Sequence, residues 1–271
     1  ANHGRVAQGL RLTAADGAHM ARAGLRLSPA GGRSANPASP SRPDVVQWAN
    51  RTNLEGRVTV FRRQDDLKVL LACEQQGADC SIVGVSNIGK SALLRSVAAY
   101  AEAVGAEPLP LFVYVDCNGM LALTDQGFYE LILRAVMERL RGQAADHLLA
   151  GLEAAYEQVV RPTSPFHVAL GFNEALMGLC ESDGRSLVLL LDEFDEPLSG
   201  MPSRVLLNLR ALKDRYGCRL CYVTATNQRL SAIRRDPEVL EFCELFALHT
   251  RHLGPLNQAD TYDFAQEFAA R

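Results

Sequence analysis

The sequence predicts an α/β fold, a three-layer sandwich in which helices cover both faces of a parallel β-sheet. Two observations carry the prediction. From about residue 45 onward, short apolar runs of strand length alternate with longer runs whose apolar residues recur at helical spacing, and strands joined through helices build parallel sheets. Between the first such strand and the helix after it lies GVSNIGKS, residues 84–91, a glycine-rich strand-to-helix turn.

The elements follow in order. DDLKVLLACEQQG (65–77) opens the series as a helix on which Leu67, Val69, Leu70, Leu71 and Cys73 supply the apolar residues, and CSIVGV (80–85) is the first strand. Past the glycine loop, Leu93, Leu94, Val97 and Ala101 repeat at helical spacing. LFVYVDC (111–117) is continuously apolar between Pro110 and Asp116, the mark of a strand buried on both faces. GFYELILRAVMERL (127–140) puts Phe128, Leu131, Ile132, Ala135 and Val136 on one helical face, and two more helical stretches occupy roughly 145–159 and 166–182. The strand SLVLLLD (186–192) comes next, then a helix over 203–216 closed by Gly217, and then the strand RLCYVTATN (219–227). A short polar helix near 228–235 and a last strand, ELFALHT (244–250), complete the series, and no internal repeat is evident.

Bulk composition narrows the function classes. Apolar residues make up 48% and charged residues 22% of the chain, the balance of a globular protein with enough apolar surface to fill a core. A net charge of −3 argues against strong whole-molecule attraction to nucleic acid or an anionic membrane and leaves a local basic patch open. The longest apolar candidate, LVLLL at 187–191, meets acidic residues at once, far short of the roughly 20 residues that span a bilayer; no membrane partner is expected. Seven cysteines, Cys73, Cys80, Cys117, Cys180, Cys218, Cys221 and Cys243, mostly lie in apolar runs and read as reduced core residues of a cytoplasmic protein. The CxxC of Cys218 and Cys221 has no second pair or nearby histidine to complete a zinc set. Residues 1–44, with six Arg against two Asp and a Ser-, Pro-, Gly- and Ala-rich stretch, are expected to be a disordered leader. The chain begins at Ala1 and stops at Arg271 within a helical pattern, and is expected to be a piece of a longer protein.

The chemistry centres on the glycine loop. Gly84, Val85, Ser86, Asn87, Ile88, Gly89, Lys90, Ser91 and Ala92 form or adjoin a G-x-x-x-x-G-K-S pattern, in which small residues let backbone N–H groups turn toward phosphate oxygens and the following helix presents its positive end to them. Lys90 would reach the β- and γ-phosphates of a nucleotide, and the Ser91 hydroxyl would bind Mg²⁺. Asp192, at the end of the buried run SLVLLLD, supplies a second Mg²⁺ ligand at the carboxyl edge of the sheet, where ligands sit in open α/β sheets. Because a strand and several helices separate the two motifs, an extra strand is expected between the phosphate-loop strand and the Asp192 strand. Four carboxylates crowd this turn, Asp192, Glu193, Asp195 and Glu196. Glu193, next to the metal aspartate, is the first candidate for the general base that activates water; Asp195 is the alternative. The strand CYVTATN ends in Thr224, Thr226 and Asn227. Asn227, or else Thr226, would lie beside the γ-phosphate if this strand neighbours the phosphate loop.

Together these segments resemble the AAA+ and STAND branches of P-loop ATPases, and within them the archaeal-type ATPases similar to origin-recognition initiators. The resemblance runs over about residues 55–265, through VTVFRRQDDLKVLL, which looks like the family's leading FVGREEEL box, then GVSNIGKSALL, VYVDCN, LLLDEFDEPL, TATN and LGPLNQADTYDFA. Arg62 stands where that box usually has Gly. The resemblance implies a P-loop ATPase core over 45–253 and the start of a helical lid over 254–271, with Val60 and Phe61 near the adenine and Pro255 at the lid hinge. It also implies self-association or contact with neighbouring domains, and an arginine finger reaching an adjacent site, for which Arg234 and Arg235 are the candidates, with Arg229 behind them. The expected function is an Mg²⁺-dependent ATPase module, slow in turnover, that acts as a nucleotide-controlled switch. Two alternatives stay open, an ATP-dependent DNA-loading initiator and a nucleotide-binding scaffold that does not hydrolyse.

Overall fold

A computed structural model describes residues 63–104, 110–142 and 144–269. The expected leader over 1–44, together with Val60 and Phe61, lies outside the described residues. Helix α1 (Gln64–Gln75) leads into β1 (Cys80–Val83), the glycine loop and α2 (Lys90–Val104). Then come β2 (Leu111–Asp116), α3 (Asp125–Leu140), α4 (Asp146–Val160), α5 (Pro165–Met177) with a π turn over Gly178–Ser182, and β3 (Leu187–Asp192). The remainder is α6 (Asp195–Gly200), α7 (Ser203–Tyr216), β4 (Leu220–Thr226), α8 (Leu230–Ile233), α9 (Pro237–Cys243), β5 (Thr250–His252) and α10 (Gln258–Ala269).

All strand pairs are parallel and the sheet order is β2-β3-β4-β1-β5. The strand that separates the phosphate-loop strand from the Asp192 strand is therefore β4. Period-2 alternation sends successive side chains to opposite faces. Cys80, Ile82, Val188, Leu190, Cys221 and Val223 meet α1 and α2 in one buried cluster, while Val113, Leu189, Leu191 and Tyr222 meet α3–α7 and α9 in the other. Each fully buried Leu or Val contributes about 1.5–3 kcal/mol, which is why the central strands read as unbroken apolar runs. Five cysteines are buried, Cys243 is half-buried, and Cys218 is exposed, so Cys218 departs from the core reading.

The last segment departs from expectation. The apolar run ELFALHT is not the strand: Glu244–Phe246 forms a 3-10 turn after α9, and the strand is Thr250–His252. Val239, Phe242 and Phe246 fall at helical spacing and are buried on one side of this segment, so the helical period continues through the run. Pro237 at the first turn of α9 is a start signal for a helix that the sequence reading did not place. The β5 strand occupies the sheet edge with polar side chains partly in solvent.

Register brings the polar ends of three strands to one edge. Val83 lies opposite Thr226, and Leu191 opposite Thr224. The phosphate loop, Asn227 and Asp192 consequently emerge from the carboxyl edge side by side.

Candidate functional site

The loop after β1 is shaped by two glycines. A Cβ at Gly84 would meet Ile88 Cγ2 at 2.8 Å, and Gly89 holds φ +103°, a left-handed conformation that side chains resist. Asn87 also has positive φ, +64°, which asparagine tolerates. Val85, Ser86, Asn87 and Ala92 are exposed, and Ile88 and Ser91 are half-buried. Lys90, at the start of α2, is only 3% exposed. Its ammonium donates to Gly84 O at 2.8 Å, Val85 O at 3.3 Å and Asn227 Oδ1 at 2.9 Å. All three acceptors are neutral, and no ion pair joins Lys90 among the described residues. Buried charges are ordinarily paired, so this uncompensated cation, folded among loop carbonyls, fits an anionic phosphate.

Asn227 is the hub of the site. Its Oδ1 accepts from Lys90 and, at 3.3 Å, from Ser86 Oγ. Its backbone N–H donates to both Asp195 oxygens, at 2.9 and 3.1 Å, and its Nδ2 to Asp195 Oδ2 at 3.4 Å. Asp195 thus faces Asn227 from the first turn of α6. Thr226 is fully buried and its hydroxyl donates to Gln228 O at 2.7 Å, closing the turn after β4 instead of facing the loop.

Asp192, 1% exposed, accepts from Glu193 N at 3.1 Å through Oδ1 and from Tyr114 Oη at 2.7 Å through Oδ2. The Arg95 guanidinium stacks 4.9 Å from the Tyr114 ring centroid. Burial, followed by the hydrogen bond to Asp192, pushes the Tyr114 phenol above its ordinary range, so Tyr114 stays a donor. Each carboxylate oxygen keeps a second lone pair. Asp192 and the Ser91 hydroxyl are therefore a donor set of the kind that holds Mg²⁺ together with phosphate oxygens and water.

Glu193 adopts φ +51°, a conformation that costs a non-glycine residue about 1–3 kcal/mol. The turn it makes lets Phe194 N reach Ala225 O at 3.1 Å and buries the Phe194 ring. The Glu193 carboxylate is half-buried and takes no hydrogen bond among the described residues. Glu196 is exposed.

The arginine-finger candidates differ. Arg234 donates to Leu198 O at 3.3 Å and Met201 O at 2.5 Å and pairs with Asp236 at 2.6 Å, which ties it to its own chain. Arg235 is exposed with no such partner among the described residues. Arg229 donates to His252 Nε2. Pro255 is exposed just beyond β5.

Sequence reasoning missed three residues here. Arg63, at φ 108° and 8% exposed, donates through Nη2 to Ile88 O and Gly254 O, both at 2.8 Å, and pairs with Asp66 at 3.3 Å. It fastens α1 to the phosphate loop and to the exit of β5. It occupies the arginine position of the leading box, which was a usable signal. Tyr114 and Arg95 were missed as well; a tyrosine in a buried strand needs a partner for its hydroxyl, but the strand alone does not say which.

No family model matches the chain, and no curated protein matches it. Solved structures do. The ORC2 protein of Aeropyrum pernix, in its ADPNP–ADP complexes, superposes with a TM-score of 0.55 at 18% identity, over 77% of this chain and 52% of that one. A Walker-type ATPase of Pyrococcus abyssi gives 0.53 at 15% identity, over 77% and 57%. The chain shares the fold of these proteins, a P-loop NTPase α/β sandwich. The ORC1 protein of Aeropyrum pernix, solved in complex with DNA, shares this P-loop ATPase fold at a TM-score of 0.51 and 17% identity, over 83% and 53%. The chain spans about half the length of these solved proteins.

Proposed function

We propose that this P-loop ATPase domain binds ATP with Mg²⁺ at the glycine loop, hydrolyses it slowly, and acts as a nucleotide-controlled switch within a larger protein. The observation that carries the reading is Lys90, a buried ammonium surrounded by neutral acceptors beside a helix N-terminus. Loop backbone from Gly84 to Ser91 would cradle the phosphates. Ser91 and Asp192 would hold Mg²⁺, which supplies Lewis acidity at the phosphoryl oxygens. Adenine as the base rests on the family resemblance.

Glu193 is the general base in this reading, because its carboxylate is free to take a proton while Asp195 is engaged with Asn227. Asn227 is the switch residue: on nucleotide binding, Lys90 exchanges the Asn227 oxygen for phosphate, and Asn227, still held by Asp195, is left to orient water. A change of partners at one residue can bias flexible neighbours, here α10 and any adjoining domain. Arg235 is the residue offered to an adjacent subunit.

The test is ATP binding and single-turnover hydrolysis with Mg²⁺. Lys90→Ala should abolish binding, and Glu193→Gln should bind ATP normally without turning it over. Full hydrolysis by Glu193→Gln would remove Glu193 as the base. Turnover that rises with protein concentration, and loses that rise in Arg235→Ala, supports a finger supplied in trans.

A second reading is an ATP-dependent DNA-loading initiator, favoured by the ORC1 neighbour solved with DNA. Duplex DNA binding at low salt that depends on ATP would support it.

A further inference from the structure

Helix α1 and strand β1 meet at a sharp reversal of the chain. Gly77 N donates to Glu74 O at 2.8 Å and Ala78 N to Cys73 O at 2.9 Å, the pair of bonds that ends a helix and turns the backbone back on itself. Six residues separate Cys73, in the last turn of α1, from Cys80, the first residue of β1. The reversal brings the two together. Cys80 lies on the sheet face that packs against α1, in the same buried cluster as Cys73, and its thiol donates a hydrogen bond to the Cys73 sulfur.

The pair is asymmetric. The hydrogen bond from Cys80 lowers the Cys73 thiol to about 6 against the opposing effect of burial, with the His249 charge adding to the lowering, and the same bond pushes the Cys80 thiol far above its ordinary value. Cys73 therefore carries the thiolate, the nucleophilic form of cysteine, and Cys80 keeps the proton. Other thiols go the opposite way: burial raises Cys117, Cys180, Cys221 and Cys243. Cys73 retains 6% of its surface in solvent against 1% for Cys80, so an oxidant meets Cys73 first. Hydrogen peroxide is small enough to use that opening.

We propose that Cys73 and Cys80 form a redox-active pair that a peroxide closes to a disulfide between α1 and β1. The Cys73 sulfur attacks one peroxide oxygen, the O–O bond breaks, and hydroxide leaves; the product is a sulfenic acid at Cys73. Cys80 then attacks that sulfur, its proton departs with the sulfenyl oxygen as water, and the S–S bond forms. The two thiols are oxidised and the peroxide is reduced. The new bond fastens the far end of the helix that begins beside Arg63, which holds Ile88 O and Gly254 O, and it does not depend on what the glycine loop binds.

Trypsin cuts after Lys68 and Lys90, and the peptide between, residues 69–90, holds Cys73 and Cys80 and no other cysteine. Folded protein pulsed with hydrogen peroxide, alkylated with iodoacetamide and read by mass spectrometry should yield this peptide lighter by two hydrogens and unalkylated, and dithiothreitol should restore it. At pH 7 the thiolate fraction favours Cys73 over Cys243, whose thiol burial raises to about 11, by about 10⁴. The weaker nucleophilicity of the more acidic thiolate returns a factor of about 100–300, so the pair should oxidise about 30- to 100-fold faster than Cys243. In Cys80→Ser, dimedone should trap a sulfenic acid at Cys73; in Cys73→Ser, Cys80 should stay reduced. Full alkylation of Cys73 and Cys80 after a pulse that oxidises Cys218 or Cys243 overturns the proposal, as does a disulfide that joins either one to a third cysteine instead.

Discussion

Asp195→Ala separates the two carboxylates that compete for the role of base. Asp195 accepts the Asn227 backbone N–H at 2.9 and 3.1 Å and the side-chain amide at 3.4 Å. A hydrogen bond to a charged group is worth about 1.5–3 kcal/mol. The bifurcated backbone contact counts as one such bond, and the 3.4 Å contact adds little because bonds this long are weak. The expected loss is about 2–3 kcal/mol, which at about 2–4 °C per kcal/mol for a domain of this size lowers Tm by about 4–12 °C. Glu193→Gln breaks no bond among the described residues and should stay within about 0.5 kcal/mol of wild type. Asp195→Asn keeps one oxygen for the Asn227 N–H and should fall between the two. Thermal unfolding by circular dichroism, beside ATP binding and single-turnover hydrolysis, provides the readouts. A wild-type Tm and normal ATP affinity in Asp195→Ala, with hydrolysis lost, would refute the positioning role and make Asp195 the base.

Glu193→Gly should relieve the left-handed strain at φ +51° and raise stability by about 1 kcal/mol while ending turnover, seen as a higher Tm in a hydrolysis-dead protein. Tyr114→Phe removes the donor to Asp192 Oδ2 and should raise the Mg²⁺ concentration needed for half-maximal turnover by about tenfold, as loss of a residue that orients a metal ligand does; a Mg²⁺ titration checks it. At the opposite edge of the sheet, Lys213 pairs with buried Asp79 at 3.3 Å, and Lys213→Met should cost about 3–5 kcal/mol by leaving that carboxylate unpaired. Burial outweighs the Lys213 charge and raises the Asp79 carboxyl above its ordinary 3.8. The folded chain therefore holds this proton more tightly than the unfolded one, and the contribution to stability falls as pH rises from 3.8 through the folded value. Asp79→Asn should flatten that part of the stability–pH curve, measured by urea unfolding.

Legibility in the sequence followed separation along the chain. GVSNIGKS and SLVLLLD are each legible as a contiguous segment, and both end at the carboxyl edge of the parallel sheet, on β1 and β3 with β4 between them. Where local patterns competed, the reading failed: Leu245 and Phe246 suit a strand by composition, but the helical spacing set by Val239 and Phe242 carries on through them. Asp195 was legible as a carboxylate near the site, while its engagement with Asn227 was not.

By itself the sequence determined most of the elements, the glycine loop between strand and helix and the acidic strand end, because each depends on residues within a turn or two of one another. Tertiary structure alone decided which polar groups meet. Lys90 and Asn227 are 137 residues apart, Tyr114 and Asp192 are 78 apart, and Arg63 and Gly254 are 191 apart. Such pairs meet only in the assembled sheet, where β2 lies beside β3, β4 lies between β3 and β1, and the parallel register levels their carboxyl ends. That order and register are fixed by burial of both sheet faces, a property of the packed layers that no single segment carries.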